Sequence, residues 1–216
     1  MYIPQQFQET RIDRLAEAMR DIELATVVTS LGPRYYTSHI PMLFKQSSEG
    51  MFLEGHVARA NHHWTVLKQP TPSIAIFMGP QAYVSPSWYE TKREHGKVVP
   101  TWNYLVVHVE GVLASVEDQS WVMMHLNELT DLNEQNRKDP WHVEDAPKDF
   151  IQKLCHAVVG LRMEVESIAG CWKMIQHRSE GDRSGTISGL LNSSDPGNHE
   201  VGRIMRSLER TRGSRT

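Results

Sequence analysis

The run Thr101-Trp102-Asn103-Tyr104-Leu105-Val106-Val107-His108-Val109-Glu110-Gly111-Val112-Leu113-Ala114-Ser115-Val116 is the longest strand-like stretch of the chain. β-Branched and aromatic residues dominate it, as a half-buried pleated surface requires. Pro100 stands at its start, where a missing N–H is tolerated. Gly111 suggests a bulge or bend inside it.

Strand signals extend in both directions from this run. Upstream, Ala25-Thr26-Val27-Val28-Thr29-Ser30 is short and β-branched, and Leu31-Gly32-Pro33 breaks it. Arg34 to Lys45 and Met51 to Val57 read as two strands joined across Gln46-Ser47-Ser48-Glu49-Gly50. Ser73 to Met78 and Gln81 to Val84 read as strands flanking Gly79-Pro80. Downstream, Leu161, Met163 and Val165 alternate with Arg162, Glu164 and Glu166, which predicts a strand with one buried face. Helical spacing marks Phe7 to Ile22 through Ile12, Leu15 and Met19. It recurs through Val122, Leu126, Leu129 and Leu132, with Glu117 or Asp118 as cap. Asp145-Ala146-Pro147 opens a further helix with Phe150, Ile151, Leu154, Cys155 and Val158 inward, ended by Gly160. Residues 179–199 read as loop. Val201, Ile204, Met205 and Leu208 predict a last amphipathic helix, with a frayed end over 210–216. Adjacent strands with helices at start, middle and end do not fit βαβ winding. They fit a mainly β fold, an antiparallel barrel or strongly curled sheet with peripheral helices.

Composition narrows the function classes. The 216 residues are 39% hydrophobic and 23% charged, too apolar for wholesale disorder. A net charge of -3 excludes a uniformly basic nucleic-acid coat. No stretch approaches the roughly 18 uncharged apolar residues of a membrane span. Met1-Tyr2-Ile3-Pro4-Gln5-Gln6 has neither the basic start nor the apolar block of a signal peptide, and the two cysteines, Cys155 and Cys171, form no CxxC. The expectation is a reduced, cytoplasmic protein with no membrane partner. The eleven histidines are scattered without ligand spacing, so no metal site is expected. No Walker loop, GxGxxG or GxSxG occurs.

Polar groups gather beside aromatics and turn residues in a few segments. Gly55-His56-Val57-Ala58-Arg59-Ala60-Asn61-His62-His63-Trp64 ends a strand and opens a short helix with Asn61 as cap. A helix start and a forked guanidinium suit an anion; a capped helix with a surface arginine is the plainer reading. Tyr83-Val84-Ser85-Pro86-Ser87-Trp88-Tyr89 can wall a planar ligand or close one end of a barrel. In Val98-Val99-Pro100-Thr101-Trp102-Asn103-Tyr104, Asn103 offers donors and an acceptor to a polar heterocycle, or satisfies a turn. Lys173-Met174-Ile175-Gln176-His177-Arg178 brings two cations and an amide together, or is a solvated cluster.

Taken in order, these segments resemble the PaiB family, the bacterial FMN-binding negative transcriptional regulators. The resemblance rests on Met1-Tyr2-Ile3-Pro4 with Phe7, His39-Ile40-Pro41, Gly55 to Asn61, Gly79-Pro80, Ala82 to Tyr89, Val99 to Tyr104 with Val107, Val109 and Gly111, and finally Lys173, Gln176, Arg178 and Asp182. It covers about residues 1–192, leaving 193–216 as a C-terminal helix and basic tail. It implies a split β-barrel of the FMN-binding type, a homodimer, FMN as cofactor, and repression of genes. The residues it assigns to the cofactor are His56, Arg59, Asn61, Ser85, Trp88, Tyr89, Thr101, Trp102, Asn103, Tyr104, Lys173, Gln176 and Arg178. The family's last motif usually reads Lys-Leu-Ser-Gln-Asn, whereas Ile175 and His177 stand here in place of the hydroxyl and the amide. The alternative is a flavin-dependent oxidoreductase, similar to pyridoxamine-phosphate oxidases or flavin reductases, or a haem-handling protein on the same barrel. DNA is a lesser expectation. The best basic element for it is the C-terminal helix with Arg203, Arg206, Arg210, Arg212 and Arg215, for which a solvated face is the preferred reading.

Overall fold

A computed structural model describes residues 1–213, with side chains to Thr211. Arg215 and the side chain of Arg212, counted above in the basic tail, lie outside the described residues, as do residues 214–216 of the expected fray; over 210–213 that expectation fails, because the chain is helical through Gly213.

The strands are β1 (Gln8–Glu9), β2 (Leu24–Leu31), β3 (Arg34–Pro41), β4 (Leu43–Ser47), β5 (Gly50–Ala58), β6 (Thr71–Val84), β7 (Thr101–Val116) and β8 (Val158–Lys173). The helices are α1 (Ile12–Ile22), α2 (His63–Val66), α3 (Thr91–Glu94), α4 (Gln119–Glu134), α5 (Lys148–His156), α6 (Glu180–Leu191) and α7 (Pro196–Gly213). Short 3-10 turns lie at Gln5–Phe7, Pro86–Trp88 and Val143–Asp145. The strands form one sheet in the order β3-β2-β6-β7-β8-β5-β4, with β1 also paired to β8. The registered pairs are antiparallel, for example Thr26↔His39, Thr26↔Ile76, Leu53↔Met163 and Gln8↔Cys171. The molecule is therefore mainly β with flanking helices, as the strand pattern predicts. Among the described residues no helix is long and apolar enough to cross a membrane.

The residues cluster into two compact units. The first holds Met1–Leu15, Met78–Val107 and the chain from Ala169 onward; the second holds Ala16–Phe77 and His108–Ile168. The core of the first includes Val84, Tyr89, Leu105, Trp172, Met174 and Leu190. That of the second includes Met19, Val27, Ile40, Leu53, Phe77 and Leu161. The alternation in β8 buries Leu161 and Met163 and exposes Glu164 and Glu166, with Val165 half-buried.

Local signals mislead at several places. Residues 179–199 are not loop: α6 occupies Glu180–Leu191, and the Ser179 side chain accepts from Asp182 N–H at its start. Its glycines look like breakers but form one stripe, four residues apart, pressed onto the Ser85–Glu90 segment. A Cβ at Gly181 would meet the Glu90 carboxylate at 1.6 Å, one at Gly185 the Trp88 carbonyl at 2.1 Å, and one at Gly189 the Trp88 ring at 2.4 Å. Gly79-Pro80 does not interrupt β6, because Pro80 lies beyond the rungs Thr26↔Ile76 to Thr29↔Ser73 that bind β6 to β2. Gly160 does not end α5. It sits inside β8, where a Cβ would strike the Trp121 ring at 2.2 Å. Phe150 and Leu154 face outward, at 52% and 47% exposure, because α5 buries Cys155 and only half-buries Ile151. The predicted strand over 34–45 is two, β3 and β4, parted at the buried Met42. β7 runs unbroken through Gly111, and Asp118 caps α4 by accepting from Trp121 N–H.

Candidate functional site

Ten of the thirteen residues assigned to the cofactor fall in the first unit: Ser85, Trp88, Tyr89, Thr101, Trp102, Asn103, Tyr104, Lys173, Gln176 and Arg178. The end of β8 and the start of β7 bring Lys173 to Thr101. The Lys173 ammonium donates to Thr101 Oγ1 at 3.1 Å and lies 5.6 Å from the Tyr104 ring centroid. Its contacts are a hydroxyl and a ring, with no carboxylate partner among the described residues. A cation on an aromatic face keeps its charge available to an anion.

Arg178 is placed differently. Its guanidinium sits 4.6 Å above the Tyr89 ring, and Nη1 lies 3.5 Å from Oδ2 of the buried Asp182. Asp182 Oδ1 also accepts from Thr91 N–H at 3.0 Å and Thr91 Oγ1 at 2.9 Å. The resemblance marks Asp182 without giving it a role; here it ties the turn before α6 to the segment entering α3. Tyr89 is 1% exposed and its hydroxyl has no hydrogen-bond partner among the described residues; burial pushes its pKa up.

The turn between Lys173 and Arg178 is strained. Ile175, 1% exposed, has φ +53, a conformation a β-branched side chain rarely adopts. Such strain persists only where the surroundings over-determine the backbone. Gln176 closes the turn with its own amide: Oε1 accepts from Met174 N–H at 2.9 Å, and Nε2 donates to Trp172 O. Asn103 is wholly buried; Nδ2 donates to Met205 Sδ at 3.3 Å, and Oδ1 has no partner among the described residues. Trp102, 47% exposed, donates its indole N–H to Gln81 Oε1 at 3.0 Å and meets Tyr83, 49% exposed, edge-on at 6.2 Å. Ser85 Oγ accepts from Ser87 N–H at 3.2 Å and caps the Pro86–Trp88 turn, and Trp88 is held against α6.

His56, Arg59 and Asn61 belong to the second unit. His56 Nδ1 is 3.2 Å from Nε2 of His125, which is fully buried and stacked on Trp121 at 5.4 Å. Burial above all, with help from His56 and Lys45, pushes the His125 pKa down to about 4. Arg59 Nη1 pairs with Glu117 Oε2 at 2.8 Å, Nε donates to His156 O at 3.0 Å, and the guanidinium lies 5.3 Å from the Trp64 ring centroid. The expected cap is displaced by one residue: His62 takes the cap position of α2, while Asn61 Oδ1 accepts from His63 N–H at 3.0 Å. α2 spans only His63–Val66, so its dipole is too short to act as an anion site. Among the described residues no group of three or more His, Cys, Asp or Glu side chains is placed to hold a metal ion. Sequence reasoning missed His125, and it read Glu117 only as a possible cap, because the partners that place them at this site, His56 and Arg59, come from distant segments.

Residues 1–167 match a family described as "Putative FMN-binding domain". Protease synthase and sporulation protein PAI 2 of Bacillus subtilis (strain 168) is 29% identical over 205 residues, covering 95% of this chain and 96% of that protein. Among solved structures, the FAD and heme binding protein of Mycobacterium smegmatis superposes with a TM-score of 0.58 at 15% identity, covering 77% of this chain and 73% of that one. The flavocytochrome Anf3 of Azotobacter vinelandii superposes with a TM-score of 0.55 at 10% identity, covering 85% and 78%. These likenesses show the fold, that of the split β-barrels.

Proposed function

This chain belongs to the family described as "Putative FMN-binding domain", and from that premise we propose that it binds FMN. The observation that carries the reading is Lys173, a half-buried cation at the end of β8 held by a hydroxyl and an aromatic face with no carboxylate against it among the described residues. A phosphate would supply the missing counter-charge through charge-assisted hydrogen bonds. The donor set fits the rest of the cofactor. Trp102 offers exposed aromatic surface beside Tyr83, and the orphaned Asn103 Oδ1 and Tyr89 hydroxyl are buried polar atoms awaiting partners. Thr101, Tyr104, Ser85, Trp88, Gln176 and Arg178 complete the proposed contacts of the first unit, with Arg178 and Gln176 mainly fixing the turn. In the second unit the proposed contacts are His56, Arg59 and Asn61. Arg59 is paired, but a pair as open as Arg59–Glu117 is worth about 0–1 kcal/mol and yields readily to a stronger anion. FMN supplies hydride or one-electron chemistry when bound; the chain binds and orients it.

The test is an FMN titration of the purified protein, followed by tryptophan fluorescence and flavin absorbance. One saturable FMN per subunit is expected, with Lys173→Met weakening it about tenfold or more. Equal affinity in Lys173→Met removes Lys173 from the site, and no saturation in the natural protein ends the reading.

The finer reading is a homodimeric, cytoplasmic repressor. The exposed arginines of α7 support it: Arg203, Arg206 and Arg210 follow helical spacing, and none is ion-paired among the described residues. Gel shifts at increasing salt test it. Exchanging these three residues for alanine lowers the salt slope by about one per lost phosphate contact; an unchanged slope excludes α7 as the DNA-binding element.

A further inference from the structure

In the second unit a chain of side chains runs from Thr71 to Asn61, and its proton directions can all be counted. Ser73 Oγ donates its single proton to Thr71 O at 3.1 Å. The Thr29 hydroxyl, 2.6 Å from Ser73 Oγ, must then donate to it. Thr29 Oγ1 is left to accept from His63 Nε2 at 2.9 Å, which puts the ring proton on Nε2. His63 Nδ1 is therefore an acceptor, and the Ser38 hydroxyl donates to it at 3.0 Å. Ser38 Oγ accepts in turn from Asn61 Nδ2 at 2.9 Å. The Asn61 amide cannot be reversed, because Oδ1 accepts from His63 N–H at 3.0 Å. Thr29, Ser38, His63 and Ser73 are all buried, and Tyr36 stacks on the imidazole at 6.0 Å.

We propose that His63 is a positioning residue: as the neutral Nε2–H tautomer it transmits the order of the β2–β6 hydroxyls to Ser38, and so fixes the Asn61 carboxamide and the turn that carries Arg59. The consequence for binding rests on the reading that Arg59 and Asn61 contact FMN. The chain works in one direction only. A second proton on His63 would make Nδ1 a donor to Ser38 Oγ, which already accepts from Asn61, and would strip the Ser38 hydroxyl of its acceptor. A buried polar network that is satisfied in one arrangement alone holds its members rigidly.

Long-range ¹H–¹⁵N NMR of the full-length protein at pH 7, with the ring assigned through His63→Gln, reads the tautomer. The Nε2–H pattern is expected in the natural protein and in the hydroxyl-conserving Thr29→Ser and Ser38→Thr. Thr29→Val and Ser38→Ala remove a link; they should lose the pure pattern and move the Asn61 side-chain amide resonances. FMN titrations of the same proteins should show about fivefold or greater weakening in Ser38→Ala and Thr29→Val, and less than about twofold change in Ser38→Thr and Thr29→Ser. An Nδ1–H or doubly protonated His63 in the natural protein overturns the proposal, as does natural FMN affinity in Ser38→Ala. If the natural protein itself takes no FMN, the FMN reading fails separately. The Asn61 amide then decides this one: shifted in Ser38→Ala it upholds the positioning role, and unmoved it overturns it.

Discussion

His125 shows how one residue carries a pH dependence for the whole fold. Its ring is fully buried, and burial with the neighbouring His56 and Lys45 lowers its pKa from 6.5 to about 4. The native state therefore prefers the neutral ring. Between the two values the unfolded chain binds more protons, so stability rises with pH across that window. The contribution is complete above about pH 6.5 and is lost as pH falls towards 4. Its size is on the order of 3 kcal/mol. Urea midpoints measured from pH 7 to 4 should fall in the natural protein and fall distinctly less in His125→Gln; parallel profiles would show that His125 is not the titrating group. No local pattern singled out His125, one of eleven histidines. Burial of this kind is created by Trp121 on its own helix and His56 on a strand. Lys173, by contrast, was legible as a site candidate from its motif. What the motif could not tell is that Arg178 beside it is countered by Asp182 while Lys173 is not.

Elements follow the same division. β7 and α4 were readable because β-branched and aromatic composition, or helical spacing, ran along most of the element, whereas the alternation over Leu161–Glu166 marked only the middle of β8, which spans Val158–Lys173. α6 was not, because Gly181, Gly185 and Gly189 lower helix propensity and imitate loop composition. Only packing explains them: at Gly185 and Gly189 the helix meets the Trp88 carbonyl and ring without room for a methyl group, and at Gly181 it meets the movable Glu90 carboxylate. Gly185→Ala should therefore destabilise the protein by about 1–3 kcal/mol despite the better propensity of alanine. The exposed Ser184→Ala on the same helix should be neutral or slightly stabilising, by about 0.5 kcal/mol. Chemical denaturation of both variants checks this, and a Gly185→Ala as stable as Ser184→Ala would mean the stripe is not a contact surface.

On the scale of the whole molecule, the proposed dimer makes its own prediction. The first unit leaves Met78, Tyr83, Val99 and Trp102 exposed at 51%, 49%, 66% and 47%. Of these, Tyr83 and Trp102 meet edge-on at 6.2 Å, and adjoining exposed aromatic rings are the kind of apolar surface that interfaces use. Light scattering should return twice the 24.7 kDa chain mass. Trp102→Glu should shift the species towards monomer; a monomeric natural protein would contradict the dimer outright.

The mainly β architecture, the helices at start, middle and end, and the segments that carry the candidate site are all determined along the sequence. Periodicity and turn chemistry are local, and they survive whatever the rest of the chain does. Tertiary structure alone decided which charges are countered, which histidines are stripped of water, and that a glycine-rich stretch is a helix. These depend on partners far away in the chain, such as Glu117 for Arg59 and Ser38 and Thr29 for His63. Desolvation and close approach are properties of the packed molecule, and no window of neighbouring residues contains them.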